Sequence, residues 1–246
     1  MITLEVCVDD PAGMMAAVRG GADRIELCAA LALGGLTPSA GLMRVAADLP
    51  LPVMAMIRPR AGNFIWSEAE ISAQLAEIAA ARACGLAGVV IGASLPDGRL
   101  DAETLARLVA AAQGLDLTLH RAIDLAPDPV AAMGVCRDLG ILRVLSSGGA
   151  ATACDGMARL AAMQAAAPDV TVMPGGGVSA ATIAALARNV PLTQVHASCS
   201  TPAPPPADPR IAGLGLQPAN ARVTDAALVR GLRTALDQLA GSTTRG

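Results

Sequence analysis

Eight short apolar segments alternate with Ala-rich segments along this chain of 246 residues, and the alternation predicts an α/β protein with a single-domain TIM (β/α)8 barrel. The apolar segments are nearly continuous runs of Val, Ile and Leu, which are typical of parallel strands covered on both faces. The length suits eight βα units, so we assign residues 1–246 to one domain.

The elements follow from this alternation in chain order. Predicted strands lie near residues 2–8, 23–27, 52–57, 88–92, 116–120, 141–146, 170–174 and 192–196. Predicted helices lie near residues 11–20, 39–48, 68–84, 102–113, 129–139, 155–167, 180–188 and 225–240. Thr37, Ser67 and Asp128 are expected N-caps, and Ser67 also begins a capping box.

Residues 197–224 interrupt the alternation. They include the Pro-rich stretch 201–206, which predicts neither a helix nor a central strand. We therefore expect a long Pro-rich loop after strand eight. Loops of this length are typically lids, binding loops or disordered segments.

Composition excludes several classes of function. Tyr is absent, Phe and Trp occur once each, and the net charge is -3, so a nucleic-acid surface is not expected. No apolar run reaches the roughly 18 residues of a membrane helix, and the N-terminus predicts a strand rather than a signal peptide. The six cysteines are far apart without a C-x-x-C pair, which favours a reduced cytoplasmic protein.

Two predicted strands each carry a carboxylate and a thiol on one face. Alternate strand residues point into a barrel, so Glu5 and Cys7 share one face, as do Glu26 and Cys28. Two neighbouring carboxylates repel, so one is expected to take up a proton or pair with a cation. The candidate cations are Arg58, Arg60, Arg121 and Arg143. A purely structural network of buried ion pairs is the alternative.

His120 is the third candidate for proton transfer. It ends strand five and is followed by Arg121 and Asp124. Histidine is suited to acid–base work near neutral pH, and strand ends carry the active sites of barrels. We therefore count Glu5, Glu26, His120 and Asp124 as candidate catalytic residues, with Asp124 either orienting a site residue or capping the next helix.

Arginines and glycine-rich turns form a candidate anion site. Guanidinium groups bind carboxylate or phosphate in bidentate fashion, and bare backbone N–H groups bind anions. The candidate ligand-binding residues are Arg58, Arg60, Arg121, Ser147, Gly148, Gly175, Gly177 and His196. Tight turns use glycine for other reasons, so the turns alone indicate little.

Sulfur donors allow a metal site instead. Cys7 and Cys28 end neighbouring strands, and Met54, Met56, Cys199 and His196 are other donors that could lie near. Soft donors of this kind suit Cu(I). No pair has the spacing of metal ligands within one element.

The chain resembles the CutC copper homeostasis family. The matching motifs are LEVC at 4–7, GADRIELC at 21–28, GGLTPSAG at 34–41, IRPRAG at 57–62, HRAID at 120–124, RVLSSG at 143–148 and GGGV at 175–178. The resemblance implies a TIM barrel, a cytoplasmic location, a homodimer and copper handling with Cu(I) on Cys7 and Cys28. Ile123 and Trp66 stand where the family usually has Phe and Tyr, and the segment after Ser198 departs from the family pattern.

Three hypotheses remain open at this point. One is a cytoplasmic copper(I)-binding protein. The second is a barrel enzyme that acts on a small phosphorylated or carboxylated metabolite by acid–base chemistry. The third is a barrel that binds such a metabolite without converting it.

Overall fold

Eight parallel strands form the nearly closed barrel of this protein. The computed structural model describes residues 1–243, with side chains described up to residue 241. The strands are β1 (Thr3–Val8), β2 (Arg24–Leu27), β3 (Val53–Met56), β4 (Gly88–Ile91), β5 (Asp116–Leu119), β6 (Arg143–Ser146), β7 (Thr171–Pro174) and β8 (Gln194–Ala197). They pair in the order β7-β6-β5-β4-β3-β2-β1-β8, and the described residues show no ladder between β7 and β8. The predicted fold class is confirmed.

The helices surround this sheet. They are α1 (Pro11–Gly20), α2 (Ala40–Ala46), α3 (Glu68–Ala83), α4 (Ala102–Ala111), α5 (Pro129–Asp138), α6 (Met157–Ala166), α7 (Ile183–Asn189), α8 (Arg210–Gly213) and α9 (Ala226–Thr243). Branched strand residues such as Leu4, Ile25 and Val89 point outward and are fully buried against them. Among the described helices, none is both long and apolar enough to cross a membrane.

Two of the three predicted helix N-caps are confirmed. Ser67 and Glu70 form the predicted capping box of α3, and the side chain of Asp128 caps α5. The prediction for Thr37 is wrong, because Ser39 caps α2. The Thr37 hydroxyl accepts a hydrogen bond from the Arg58 amide instead, which ties this loop to the end of β3.

The segment between β8 and α9 is not an irregular loop throughout. Two strands, β9 (Ser200–Pro202) and β10 (Arg222–Thr224), pair antiparallel, and α8 forms a single turn between them. The prediction of no helix here is wrong for that turn. Proline is tolerated at the start of a helix and at the end of an edge strand, which is where Pro209 and Pro202 lie.

Candidate functional site

The carboxyl ends of the barrel strands open into a cavity of about 920 Å³. The predicted site residues that line it are Cys7, Glu26, Arg58, His120, Arg121, Asp124, Gly177 and His196. Glu5 lies beneath the cavity, fully buried and in contact with His196. Five further predicted site residues are not among the described residues that line the cavity: Cys28, Arg60, Ser147, Gly148 and Gly175. Side chains spread over most of the chain therefore meet at one mouth of the barrel.

A buried chain of ion pairs crosses three adjacent strands below the cavity. Arg24 Nε donates to Glu5 Oε2 at 2.5 Å, and Glu5 Oε1 lies 2.8 Å from His196 Nδ1. His196 Nε2 faces Glu26 Oε2 at 3.8 Å. Arg24 Nη2 also donates to Gln194 Oε1 at 2.6 Å. The strand register produces this chain, because Glu5 pairs with Arg24 on β2 and with His196 on β8.

The two carboxylates of this chain have opposite pKa shifts. Burial raises the pKa of Glu5, but the His196 hydrogen bond and the Arg24 charge outweigh it and lower the pKa to about 2. Burial raises the pKa of Glu26, and the charge of Glu5 acts in the same direction. Glu26 Oε1 is buried without a hydrogen-bond partner in the described chain. Glu26 therefore has an unpaired carboxylate oxygen among the described residues, whereas both oxygens of Glu5 are paired, with Arg24 and His196.

His196 sits between these carboxylates as a cation. Burial on its own lowers the pKa of His196, but the charge of Glu26 and contacts with Cys7 and Glu5 raise it well above the usual value. The ring is nearly buried, at 8% exposed, so these charges act with little screening by solvent.

The prediction of which arginine neutralises Glu5 is wrong, because its partner is Arg24. The other four arginines are engaged elsewhere: Arg60 with Glu70, Arg121 with Asp124, Arg143 with Asp116, and Arg58 with backbone carbonyls. Arg24 lies two residues before Glu26 on the same strand face, so the alternation rule already placed it inside the barrel. A charged residue on this inward face was therefore the sequence signal that could have identified Arg24 as the partner of Glu5.

His120 presents a hydrogen-bond donor to the cavity. Its Nδ1 accepts the Ala122 amide at 3.2 Å, which leaves the proton of the neutral ring on Nε2. That Nε2 is buried without a partner among the described residues. Burial and the charge of Arg58 lower the pKa of His120 to about 3, so the ring is neutral at physiological pH.

Phe64 and Gly92 fix the position of the His120 ring. The ring centroids of Phe64 and His120 are 4.5 Å apart, and the Arg58 guanidinium lies 5.1 Å from the Phe64 centroid. A Cβ on Gly92 would come within 2.1 Å of His120 Cε1, so only glycine leaves room for the ring. Phe64, the one Phe of the chain, was not singled out from the sequence.

Arg58 lines the cavity, but its guanidinium is largely occupied. Nη1 donates to the carbonyls of Leu33 and Gly35 at 3.0 Å each, and Nη2 donates to that of Gly62 at 3.0 Å. These bonds hold the loops after β2 and β3 together. Arg58 therefore supports the wall, and its Nε is buried without a hydrogen-bond partner among the described residues. Arg60 lies outside the cavity, over the Trp66 ring at 4.9 Å.

Asp124 organises the loop after β6. Its carboxylate accepts hydrogen bonds from Ser146 Oγ at 2.6 Å, from Arg121 Nε at 2.7 Å, and from the Gly149 amide at 2.9 Å. It also accepts from the amide and hydroxyl of Ser147. Burial raises the pKa of Asp124, but these donors together lower it. Asp124 thus positions its neighbours and is saturated with donors.

The glycine turns divide into supporting and cavity-lining residues. Gly148 packs against Gly156, and Gly175 packs against Leu145 and His196. Gly176 and Gly177 line the cavity beside Arg121. The bare backbone that faces the cavity is therefore the turn after β7.

Cysteine contacts differ from the expected pair. Cys7 Sγ, a Glu26 oxygen and a His196 nitrogen lie within 4.8 Å of one another, and Cys28 is not part of this group of described residues. Cys28 Sγ instead contacts Glu26 Oε2 at 3.5 Å. Burial and the charge of Glu26 raise the pKa of Cys28 well above the usual value, which keeps it a thiol. The arrangement could hold a metal with one thiolate, one imidazole and one carboxylate.

The segment after β8 supplies one wall of the cavity. Pro218, Asn220 and Ala221 line it, and Asn220 Nδ2 donates to the Ala32 carbonyl at 3.4 Å across the opening. The Asp225 amide donates to the Cys199 carbonyl at 2.8 Å and closes the base of the segment.

Comparisons with known proteins agree on one family. The CutC family model matches residues 2–201. A CutC family protein of Rhizobium meliloti (strain 1021) is 54% identical over 237 residues, covering 96% of each chain. That of Agrobacterium fabrum (strain C58 / ATCC 33970) is 52% identical over 236 residues, covering 95% of this chain and 93% of its own.

One solved structure belongs to the same family. The CutC protein of Streptococcus agalactiae, named for copper homeostasis, superimposes with a TM-score of 0.76 at 28% identity, covering 80% of this chain and 99% of its own. Phosphoribosyl anthranilate isomerase of Thermotoga maritima superimposes with a TM-score of 0.58 at 11% identity, covering 97% and 100%. That second likeness shows the barrel fold alone.

Proposed function

This chain belongs to the CutC family, and we propose that its barrel is an enzyme that binds a small phosphorylated or carboxylated metabolite and moves protons on it. One observation carries the proposal. Three buried polar atoms without partners among the described residues belong to residues that line the same cavity: Glu26 Oε1, His120 Nε2 and Arg58 Nε. Buried polar atoms are normally paired, so a ligand is their expected partner, and Glu26 and His120 are the two groups suited to acid–base work.

The two groups have complementary roles in this proposal. Glu26, with its raised pKa, takes a proton from a carbon of the ligand and returns it. His120 Nε2–H donates a hydrogen bond to the oxygen on which negative charge develops. Glu5 and His196 keep the neighbourhood of Glu26 charged and fixed. Such a general acid–base step contributes about 10²- to 10⁴-fold to a rate.

Solvent exchange tests this proposal without knowledge of the substrate. A panel of small phosphorylated and carboxylated acids in D₂O is followed by proton NMR with wild-type protein, Glu26→Gln and His120→Asn. We expect carbon-bound hydrogen of at least one acid to exchange with wild type, and at least about 100-fold more slowly with each variant. Glu77→Gln is the control, because burial also raises the pKa of Glu77, which bonds to Thr37 outside the cavity lining. No exchange with any acid, or equal exchange in all four proteins, contradicts the proposal.

A specific observation supports copper(I) binding as a second function. The thiol of Cys7 lies near His196 and Glu26, and Glu5 on His196 Nδ1 resembles the partners that orient metal-bound histidines. The fit to Cu(I) is partial, since Cu(I) prefers several soft donors and this group contains one sulfur. The protonated Cys28 weakens the two-cysteine site that the family resemblance implies.

A competition titration with a Cu(I) chelator tests this second function. Tight binding that is lost in Cys7→Ser and in Cys28→Ser supports the two-cysteine site, and loss in Cys7→Ser alone supports the mixed group. Cys136→Ser is the control, since Cys136 is buried in the outer core. Affinity that is unchanged in Cys7→Ser contradicts copper binding here.

We also propose that the protein is cytoplasmic and forms a homodimer. All six cysteines are unpaired, which supports a reducing compartment. Light scattering of the purified protein tests the dimer, and a mass of one chain contradicts it.

A further inference from the structure

We infer that the cavity holds a phosphoryl group of its ligand between Arg121 and the turn formed by Gly176 and Gly177. This inference rests on the proposed function, because it assumes that the cavity binds a small anion. It narrows the ligand to a phosphomonoester and assigns the anchor to Arg121, not to Arg58.

Arg121 is held in place with one nitrogen to spare. Its Nε donates to Asp124 Oδ2 at 2.7 Å, and its Nη2 donates to Ser147 Oγ at 2.6 Å. Nη1 has no hydrogen-bond partner in the described part of the chain, and it lies 3.7 Å from where a Cβ on Gly176 would be. The Arg121 side chain is 42% exposed, and the residue lines the cavity. An arginine fixed by two of its nitrogens offers the third to a ligand with little further loss of entropy.

The backbone opposite Arg121 is bare. Gly176 and Gly177 have φ angles of +90° and +73°, a region that side chains disfavour. Their N–H groups have no hydrogen-bond partner among the described residues, and both residues line the cavity. Successive backbone N–H groups in a turn can form a concave binding site for anions.

The number of donors favours a phosphoryl group over a carboxylate. Arg121 Nη1 and the two glycine N–H groups give three donors at one end of the cavity, and a phosphomonoester offers three oxygens to them. Arg58 is a weaker candidate, since Nη1 and Nη2 already donate to three carbonyls and the remaining nitrogen, Nε, is buried. The turn after β7 is also where (β/α)8 barrels commonly bind phosphate. The reacting carbon would then lie toward Glu26 and His120, which line the same cavity.

Calorimetric titration with two matched probes tests the inference. The probes are glycerol 3-phosphate and glycerate, which differ chiefly in the anionic group. We expect the wild-type protein to bind glycerol 3-phosphate at least about tenfold more tightly than glycerate, and Arg121→Gln to lose about tenfold or more of that affinity. Arg121→Lys, which keeps the charge, should retain part of it.

Arg137→Gln is the control. It removes the same charge from an exposed residue of α5 that pairs with Asp138 and does not belong to the described cavity lining. We expect less than about twofold change in that variant. Equal weakening in Arg121→Gln and Arg137→Gln would reveal a general charge effect and overturn the inference. So would equal affinity for both probes, or no binding of glycerol 3-phosphate.

A second variant covers the case in which Arg121→Gln does not fold. A Cβ on Gly176 meets nothing nearer than 3.6 Å, so Gly176→Ala alters the backbone without a clash. Its φ angle makes the present backbone strained for alanine, and we expect glycerol 3-phosphate to bind at least about tenfold more weakly. Unchanged affinity would overturn the inference. A third outcome separates this inference from the proposed function. If the protein has no affinity for phosphate but still exchanges the hydrogen of a carboxylated acid in a Glu26-dependent way, this inference is overturned and the proposed enzyme stands.

Discussion

His196 Nδ1 lies 2.8 Å from Glu5 Oε1, and this contact joins the first and last strands of the barrel inside its core. The same imidazole faces Glu26 with its other nitrogen at 3.8 Å. One carboxylate is paired with His196 and Arg24, while the other has an oxygen without a partner among the described residues. The contact therefore distinguishes a fully paired carboxylate from one that our proposal makes the base.

Glu5→Gln tests the structural role of this contact. The change leaves Arg24 and His196 buried without their anion, so we expect a loss of about 3–5 kcal/mol in the free energy of unfolding, measured in urea. Glu70→Gln is the matched control. It removes a partly exposed ion pair with Arg60 and keeps the capping box, so the loss should be much smaller than in Glu5→Gln. Equal losses in the two variants would refute the distinction.

Gly92→Ala tests how tightly the His120 ring is held. The added Cβ would overlap the ring at 2.1 Å, so we expect a destabilisation of about 1–3 kcal/mol and a shift of the His120 ring resonances in NMR spectra. Gly134 lies within α5 with nothing within 4 Å of an added Cβ. Gly134→Ala should stabilise the protein by about 0.5–1 kcal/mol. A neutral Gly92→Ala would show that the ring has room to move.

His120 should make stability depend on pH. The native ring stays neutral until the pH falls to about 3, whereas the unfolded ring takes up a proton near 6.5. Between these values the unfolded state binds more protons, so stability falls as the pH falls, by up to about 1.4 kcal/mol per pH unit from this group. His120→Asn keeps an acceptor for the Ala122 amide and should remove this part of the slope. The difference between the two proteins in urea unfolding from pH 7 to pH 4 measures it, and parallel curves would contradict the prediction.

The cavity wall formed by the segment after β8 should be removable without unfolding the barrel. The amide of Ala203 donates to the Ala221 carbonyl at 2.8 Å, so a short Asn-Gly turn can replace residues 204–220. The barrel strands keep their pairing, and we expect a cooperative thermal transition. The loss of Pro218 and Asn220 from the cavity should weaken ligand binding about tenfold or more in calorimetry. Full affinity in the shortened chain would show that this wall does not contribute to binding.

The sequence predicted the barrel well, because each of its eight strands and the helices between them have a local signal, whereas β9, α8 and β10 were not predicted. The alternation rule also placed Glu5, Glu26 and His120 inside the barrel. It could not pair Glu5 with His196, because that contact depends on β1 and β8 meeting across 191 positions of the chain. Closure of a barrel is a property of the whole sheet.

Side-chain partners were the second limit. Arg58 and Arg121 look equivalent in the sequence, since each follows a strand. Only the surrounding loops show that Nη1 and Nη2 of Arg58 donate to carbonyls and that its Nε is buried, whereas Nη1 of Arg121 has no partner among the described residues and lies beside Gly176. In the same way, Cys7 and Cys28 occupy similar positions, but only Cys7 joins the group with His196 and Glu26. Short-range pattern does not determine such contacts.

The exchange rate of a bound ligand in Glu26→Gln tests the central claim most directly. With a ligand identified in the D₂O panel, the rate is measured at saturation for wild type, Glu26→Gln and Glu77→Gln, and affinity is measured in parallel. We predict a loss of about 100-fold or more in Glu26→Gln alone, with affinity within a few-fold of wild type. A Glu26→Gln protein that exchanges the saturated ligand at the wild-type rate would contradict a catalytic role for this carboxylate.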